Sequence, residues 1–191
     1  DKTKAGLDES IRHAITKISN IHFPITNKSK KRIIKMGESP KFVFNFGSPS
    51  IDMIYKKQII SKNELEKKYK IKFSGNDILL IQHPVTTEPK KSKKQISVLI
   101  KGILKTKQTI FAIAPNSDAG NNEIFQTLKL VSKKNSKFYL FKNIRREDYL
   151  GFLKYSGVLV GNSSSGIVEA AYFNTHVINI GIRQKDRESD S

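Results

Sequence analysis

Along almost its whole length this chain alternates apolar, β-rich runs with amphipathic stretches, and that order constrains the fold more than any motif does. Period-2 or continuous apolar runs separated by helical-period segments call for βαβ units, and βαβ units make a parallel sheet. The expected class is therefore α/β. Residues 8–19 carry Ile11, Ala14, Ile15 and Ile18 on one helical face, with Asp8 or Ser10 near the start. Residues 21–26 are expected as a strand, 29–36 as a short helix closed by Gly37, and 41–46 as a second strand. Gly47-Ser48-Pro49-Ser50 is a break and the one domain boundary the pattern suggests. Beyond it, helices are expected at 51–56 and 64–70, and a doubly buried strand at 77–82. Three helix–strand pairs follow: 95–104 with 109–114, 123–131 with 138–141, and 146–155 with 158–160. A last helix over 167–173 leads into a strand at 177–180.

Composition removes several function classes. With 191 residues the chain can bury a sizeable core unaided, and without cysteine it uses neither disulfides nor thiolate chemistry. No apolar run approaches the ~20 residues of a membrane span, and no signal-peptide core follows the basic start, so a soluble, cytoplasmic protein without membrane partners is expected. The net charge of +18 invites a nucleic-acid reading. Only six of the 35 basic residues are arginine, however, and the lysines are scattered with Asn and Ile through the chain. No basic motif interleaved with aromatics is present to stack bases. The lysines are read as solvated helix faces and nucleic acid is not expected as a partner.

In parallel α/β sheets ligands lie beyond the carboxyl ends of the strands. Four polar segments follow strand-like runs: His83–Glu88, Pro115–Gly120, Gly161–Gly166 and Gly181–Gln184. In Gly161-Asn162-Ser163-Ser164-Ser165-Gly166, two glycines bracket three serines between a strand and a helix, which gives close backbone approach, hydroxyl donors and a helix N-terminus suited to phosphate. It is neither a Walker A loop nor a G-x-G-x-x-G turn, and an ordinary Gly/Ser turn is the plain alternative. Glu169 lies one helical turn on, within reach of ribose hydroxyls. His83 is either a proton-transfer or phosphate-contact group, with Glu88 five residues away, or a structural histidine. Asp118 is a site residue or an Asx-turn residue. Arg183, with Arg187 nearby, suits a diphosphate because arginine is scarce here, or it pairs on the surface with Glu188. Asp8 and Glu9 either cap their helix or supply a general base.

Taken in order, Asp8–Lys17, Gly47-Ser48-Pro49 with Asp52, His83–Glu88, Pro115–Gly120, Gly161–Glu169 and Asn179–Gln184 resemble the UDP-N-acetylglucosamine 2-epimerase family across nearly the whole chain. They look most like its hydrolysing branch, which makes N-acetylmannosamine for sialic-acid-type sugars; the arginine-rich run typical of the non-hydrolysing branch is replaced here by His83-Pro84-Val85-Thr86-Thr87-Glu88. The resemblance implies two Rossmann-like domains of GT-B type facing across a cleft. It assigns 1–47 to the end of the amino-terminal domain and 48–191 to most of the carboxyl-terminal one, with the first hundred or so residues of the family and its end absent. It further implies UDP-N-acetylglucosamine and UDP as ligands, no cofactor, no metal, and a homo-oligomeric whole enzyme. A piece of this length is expected to turn over little by itself.

By the same resemblance Ser163 and Ser164 hold the diphosphate and Glu169 the ribose. His83, Asn116, Asp118 and Arg183 line the UDP side, with His83 also placed among the catalytic residues. Asp8 and Glu9 are the acids near the sugar, Arg12 joins them on the substrate side, and Asp1 stands loosely at another acidic position. The chain departs from the family in carrying Asn174 and His176 where Gly and Pro are usual, and Asp186 where Gly is usual. Asn tolerates the left-handed conformation best after Gly, so the turn at 174 is expected to survive.

Overall fold

The structure, a computed structural model, describes residues 8–56 and 59–185; Asp1, Asp186, Arg187 and Glu188 lie outside the described residues. In chain order the regular elements are α1 (Asp8–Ile18), α2 (Asn27–Lys35), α3 (Pro49–Tyr55), α4 (Lys62–Tyr69), β1 (Ile78–Ile81), α5 (Ser92–Leu104), β2 (Ile110–Ile113), α6 (Asn121–Lys134), β3 (Phe138–Phe141), α7 (Arg146–Tyr155), β4 (Val158–Gly161), α8 (Ser165–Val168) and β5 (His176–Asn179). The five strands form one parallel sheet in the order β3-β2-β1-β4-β5. The expected α/β class is the observed one, and the order is that of a Rossmann sheet, whose direction of winding reverses between β1 and β4.

Strand side chains alternate between the two faces, so the sheet feeds two cores. On one face Ile78, Leu80, Ile110 and Ala112 meet Ile96 and Ile100 of α5, with Leu128 of α6 beside them. On the other, Leu79, Phe111 and Leu159 meet Leu65 of α4, Phe73, and Phe152 of α7. The first core is aliphatic apart from Phe138, and the second adds a cluster of aromatic rings to its aliphatic residues, with Phe152 5.4 Å from Phe111 and 5.2 Å from Tyr69, centroid to centroid. β1 is a run of four buried apolar residues because both of its faces are covered. Helix α4 starts in a capping box, in which Ser61 and Glu64 satisfy each other's backbone N–H groups.

Two expected strands are not formed. Residues 21–26 and 41–46 meet only through a single parallel bridge, His22 to Val43, closed by His22 N–H to Phe42 O at 2.8 Å and Phe44 N–H to His22 O at 2.9 Å. Pro24 has no N–H to extend the ladder, and Pro40 opens a 3-10 turn over Pro40–Phe42. The expected helix over 167–173 is also split. α8 is one turn, and a 3-10 turn over Ala170–Phe173 follows it, with Glu169 at the junction. Asn174 takes the left-handed conformation at φ +53°, as the turn requires. α5 and α6 start earlier than their hydrophobic pattern suggests, at Ser92 and Asn121, because their first turns are polar.

Candidate functional site

The rim beyond β1 and β4 is built by a close approach of backbones. A Cβ on Gly161 would stand 1.9 Å from the carbonyl oxygen of Ile81, and the residue has φ +137°, so only glycine fits. The approach lets Asn162 N–H reach Ile81 O at 3.0 Å and puts the Asn162 side chain, 1% exposed, across the gap. His83 N–H donates to Asn162 Oδ1 at 2.7 Å, and Asn162 Nδ2 donates back to His83 O at 2.8 Å. The same residue's carbonyl accepts from Arg183 Nη1 at 3.1 Å and Gln184 Nε2 at 2.9 Å. One asparagine thus ties together the residues after β1, β4 and β5.

Asn116, after β2, completes the cluster. Its N–H donates to His83 Nδ1 at 3.1 Å, and its Nδ2 to Asp118 Oδ2 at 2.5 Å. With Nδ1 accepting, the proton of a neutral imidazole sits on Nε2. Burial holds the His83 pKa down to about 4, Arg183's charge acts in the same direction, and Asp118 and the hydrogen bond at Asn116 oppose them. The ring is therefore neutral at neutral pH and presents an N–H donor. Of the roles open to it, this environment suits contact with an anionic oxygen better than proton abstraction. Glu88 does not meet His83: the chain between them turns, with Glu88 N–H donating to Val85 O at 2.8 Å, and the Glu88 carboxylate accepts from Lys91 Nζ at 2.7 Å in the 3-10 turn that follows.

The serine loop is half-buried and bonded within itself: Ser165 N–H and Ser163 Oγ are 3.3 Å apart, and Ser163 Oγ donates to Ser165 Oγ at 3.2 Å. Since α8 is a single turn, its dipole adds less than a full helix would, and the local hydroxyls and N–H groups are the donors that count. Below them lies Tyr149 of α7. Its phenol faces the Ser165 and Ser163 hydroxyls without closing a hydrogen bond of normal geometry, and burial first, then Glu169's charge, push its pKa up to about 12. Glu169 is 5% exposed and is held by Arg146 at the start of α7. Two buried acceptors at the rim, Gln82 Oε1 and Asn116 Oδ1, have no hydrogen-bond partner among the described residues and are available to a ligand's donors.

The structure gathers His83, Asn116, Asp118, Ser163, Ser164, Glu169 and Arg183 along this rim. Glu9 and Arg12 come from the amino-terminal end of the described chain. Both lie on α1, which Asp8 opens, and Glu9 Oε1 is 3.9 Å from His13 Nε2 one turn along. Among the described residues no hydrogen bond or ion pair joins Glu9 to the rim. Sequence reasoning missed Asn162, Gln184, Tyr149 and Arg146. The first two were within reach, standing inside the motifs already singled out. The scarcity of arginine that drew notice to Arg183 applies equally to Arg146.

A family profile described as UDP-N-acetylglucosamine 2-epimerase matches residues 1–191. The chain belongs to this family. It is 39% identical over 188 residues to the GDP/UDP-N,N'-diacetylbacillosamine 2-epimerase (hydrolyzing) of Campylobacter jejuni, covering 97% of this chain and 49% of that protein. It is 40% identical over 189 residues to the polysialic acid biosynthesis protein P7 of Escherichia coli, covering 98% and 48%. The chain thus spans about half the length of the curated relatives it matches. Among solved structures, the fold resembles the UDP-GlcNAc 2-epimerase of Neisseria meningitidis bound to UDP-GlcNAc, with a TM-score of 0.73, 16% identity, and coverage of 92% of this chain and 48% of that one. It also resembles the S. aureus MnaA–UDP co-structure, with a TM-score of 0.68, 18% identity, and coverage of 97% and 49%. Among the described residues no helix is long and apolar enough to cross a membrane.

Proposed function

We propose that the protein to which this chain belongs is a hydrolysing UDP-sugar 2-epimerase, and that residues 48–191 carry its nucleotide site while 1–47 close the amino-terminal domain across the cleft. The observation that carries this reading is the Asn162 hub: it gathers a neutral His83 donor, the Arg183 guanidinium and the serine loop at the β1/β4 crossover, where a diphosphate would need them. Charge develops on the diphosphate oxygens as the C1–O bond breaks, and fixed donors stabilise it there.

In this mechanism a carboxylate, Asp8 or Glu9, removes the C2 proton while UDP leaves from C1, giving a glycal. Water then adds its hydroxyl at C1, a proton returns to C2 on the opposite face, and the free sugar leaves with C2 inverted. UDP-N-acetylglucosamine going to N-acetylmannosamine and UDP, as in the supply of sialic-acid-type sugars, is the first reading. A 2,4-diacetamido UDP-sugar is the second, favoured by the 39% and 37% identity to two hydrolysing diacetylbacillosamine epimerases. The whole protein run in heavy water with each UDP-sugar decides between them. A free 2-epimerised sugar with one deuteron at C2 is expected. Product that retains UDP would place the protein in the non-hydrolysing branch, and UDP binding with no turnover would make it a binding paralogue.

A further inference from the structure

The guanidinium of Arg146 sits where three elements meet. Its Nη2 donates to Glu169 Oε1, between α8 and the 3-10 turn, and to the backbone oxygen of Ser50 in the first turn of α3 at 3.5 Å. The same group lies 5.4 Å from the ring centroid of Tyr149, whose phenol faces the serine loop. Its side chain is one-third exposed, and that of Glu169 is almost wholly covered. A carboxylate so deeply buried is costly unless a cation shares the site, and a lone carboxylate on a junction residue would be free to turn. The pair removes both difficulties at once. It neutralises Glu169, fixes one of its oxygens, and leaves the remaining lone pairs to accept from outside, since a carboxylate offers about four such positions.

We propose that Arg146 is a positioning residue for nucleotide recognition: braced on Ser50 and Tyr149, it aims the Glu169 carboxylate at the vicinal hydroxyls of a ribose whose diphosphate lies on the serine loop. This rests on reading the rim as a nucleoside-diphosphate site. Arg146 touches no part of the nucleotide in this arrangement; it acts through Glu169. Its removal therefore affects the sugar hydroxyls and spares the phosphates.

The test compares UDP with 2′,3′-dideoxy-UDP, titrated calorimetrically into this chain. The unaltered chain is expected to prefer UDP by about tenfold or more, the value of a hydrogen bond to a charged acceptor. In Arg146→Met that ratio falls to about one while dideoxy-UDP binds within about twofold of the unaltered chain. Arg146→Lys keeps the charge without the planar fork and gives an intermediate ratio, which serves if the Met variant does not fold. Glu169→Gln loses the same preference, and adding Arg146→Met to it costs nothing more. Equal weakening of both nucleotides in Arg146→Met, or an unchanged ratio in either Arg146 variant, overturns the proposal. An unaltered chain that binds UDP but does not discriminate overturns it too, and leaves the diphosphate reading standing. A folded chain that binds neither nucleotide removes the functional reading and this inference together.

Discussion

The segment from Asp8 to Phe46 and the sheet from Ile78 to Asn179 are built from the same kinds of residue, and they dispose of them in opposite ways. In the sheet the large apolar side chains of β1 and β2 are covered on both faces, and Phe111 and Phe152 are fully buried between helices and strands. In the earlier segment Ile11, Ile15 and Ile18 line an exposed face of α1, with Ile18 81% exposed. Phe23, Phe44 and Phe46 form an aromatic cluster open to solvent, their ring centroids 5.9 to 6.2 Å apart. The sheet has two helical layers and closes its core; the single bridge at His22 and Val43 has neither. Stability is thus expected to reside in the sheet, and what the earlier segment contributes is surface.

The sharpest break in that comparison comes from the core. Phe152→Ala should lower the unfolding free energy of this chain by about 3–5 kcal/mol in denaturant titrations, because it empties the centre of the aromatic layer. The next effect belongs to the site. His83 has a folded pKa near 4 against 6.5 for an unperturbed histidine, so above pH ~6.5 it is neutral folded or unfolded and contributes no pH dependence. Between 6.5 and 4 the unfolded chain takes up a proton that the folded chain refuses, and stability falls as pH falls, by up to about 3 kcal/mol. The carboxylates also titrate on the acid side, so the informative quantity is the difference between the unaltered chain and His83→Gln. That difference should change with pH through this window and hold constant above it; a difference that is flat throughout would mean the ring is solvated.

A smaller effect separates the rim from both. Arg183→Ala should weaken UDP binding by about 1–3 kcal/mol, the value of a charge-assisted contact, while moving the unfolding midpoint little, because Gln184 still holds Asn162 O. Calorimetry with UDP reads the first effect and denaturant titration the second. Unchanged affinity would put the diphosphate elsewhere.

Much of this was legible in the chain because burial on both faces leaves a plain signature. β1 is an unbroken apolar run, and β3 and α7 stand at the residues the pattern predicts, since short strands between amphipathic helices allow few registers. The rim was legible for a related reason: polar residues at the carboxyl ends of parallel strands converge whatever the loops do. Three things were not legible. The strand-like runs around His22 and Val43 have β-rich composition, but a strand needs partners, and among the described residues each has one bridge. The helix expected at 167–173 breaks at Glu169, whose carboxylate is held by Arg146 from an earlier helix, 23 residues away in sequence. His83's partners were hidden too, as nothing local says that Asn116 takes its Nδ1 while Glu88 turns away.

The smallest expected effect tests the open half of the comparison. Phe46 is 82% exposed and stacks on Phe44 at 5.9 Å with 7° between the rings. Replacing it with Ser removes two exposed aromatic contacts, with Phe44 and Phe23, and uncovers no core, so the unfolding free energy of this chain should change by no more than about 1 kcal/mol. In the whole protein the expectation reverses. If 1–47 closes an amino-terminal domain, the exposed faces of α1 and of the phenylalanine cluster are the half-built side of a second core, and Phe46→Ser should then cost several times as much, as loss of a buried aromatic does. Measuring the same substitution in the two settings isolates the contribution of the covering domain, because the local stacking energy is common to both and cancels. Equal small losses would mean that this face stays in water in the whole protein. A large loss in the present chain would mean that residues 8–46 are already coupled to the sheet, and the contrast between the two regions would fail.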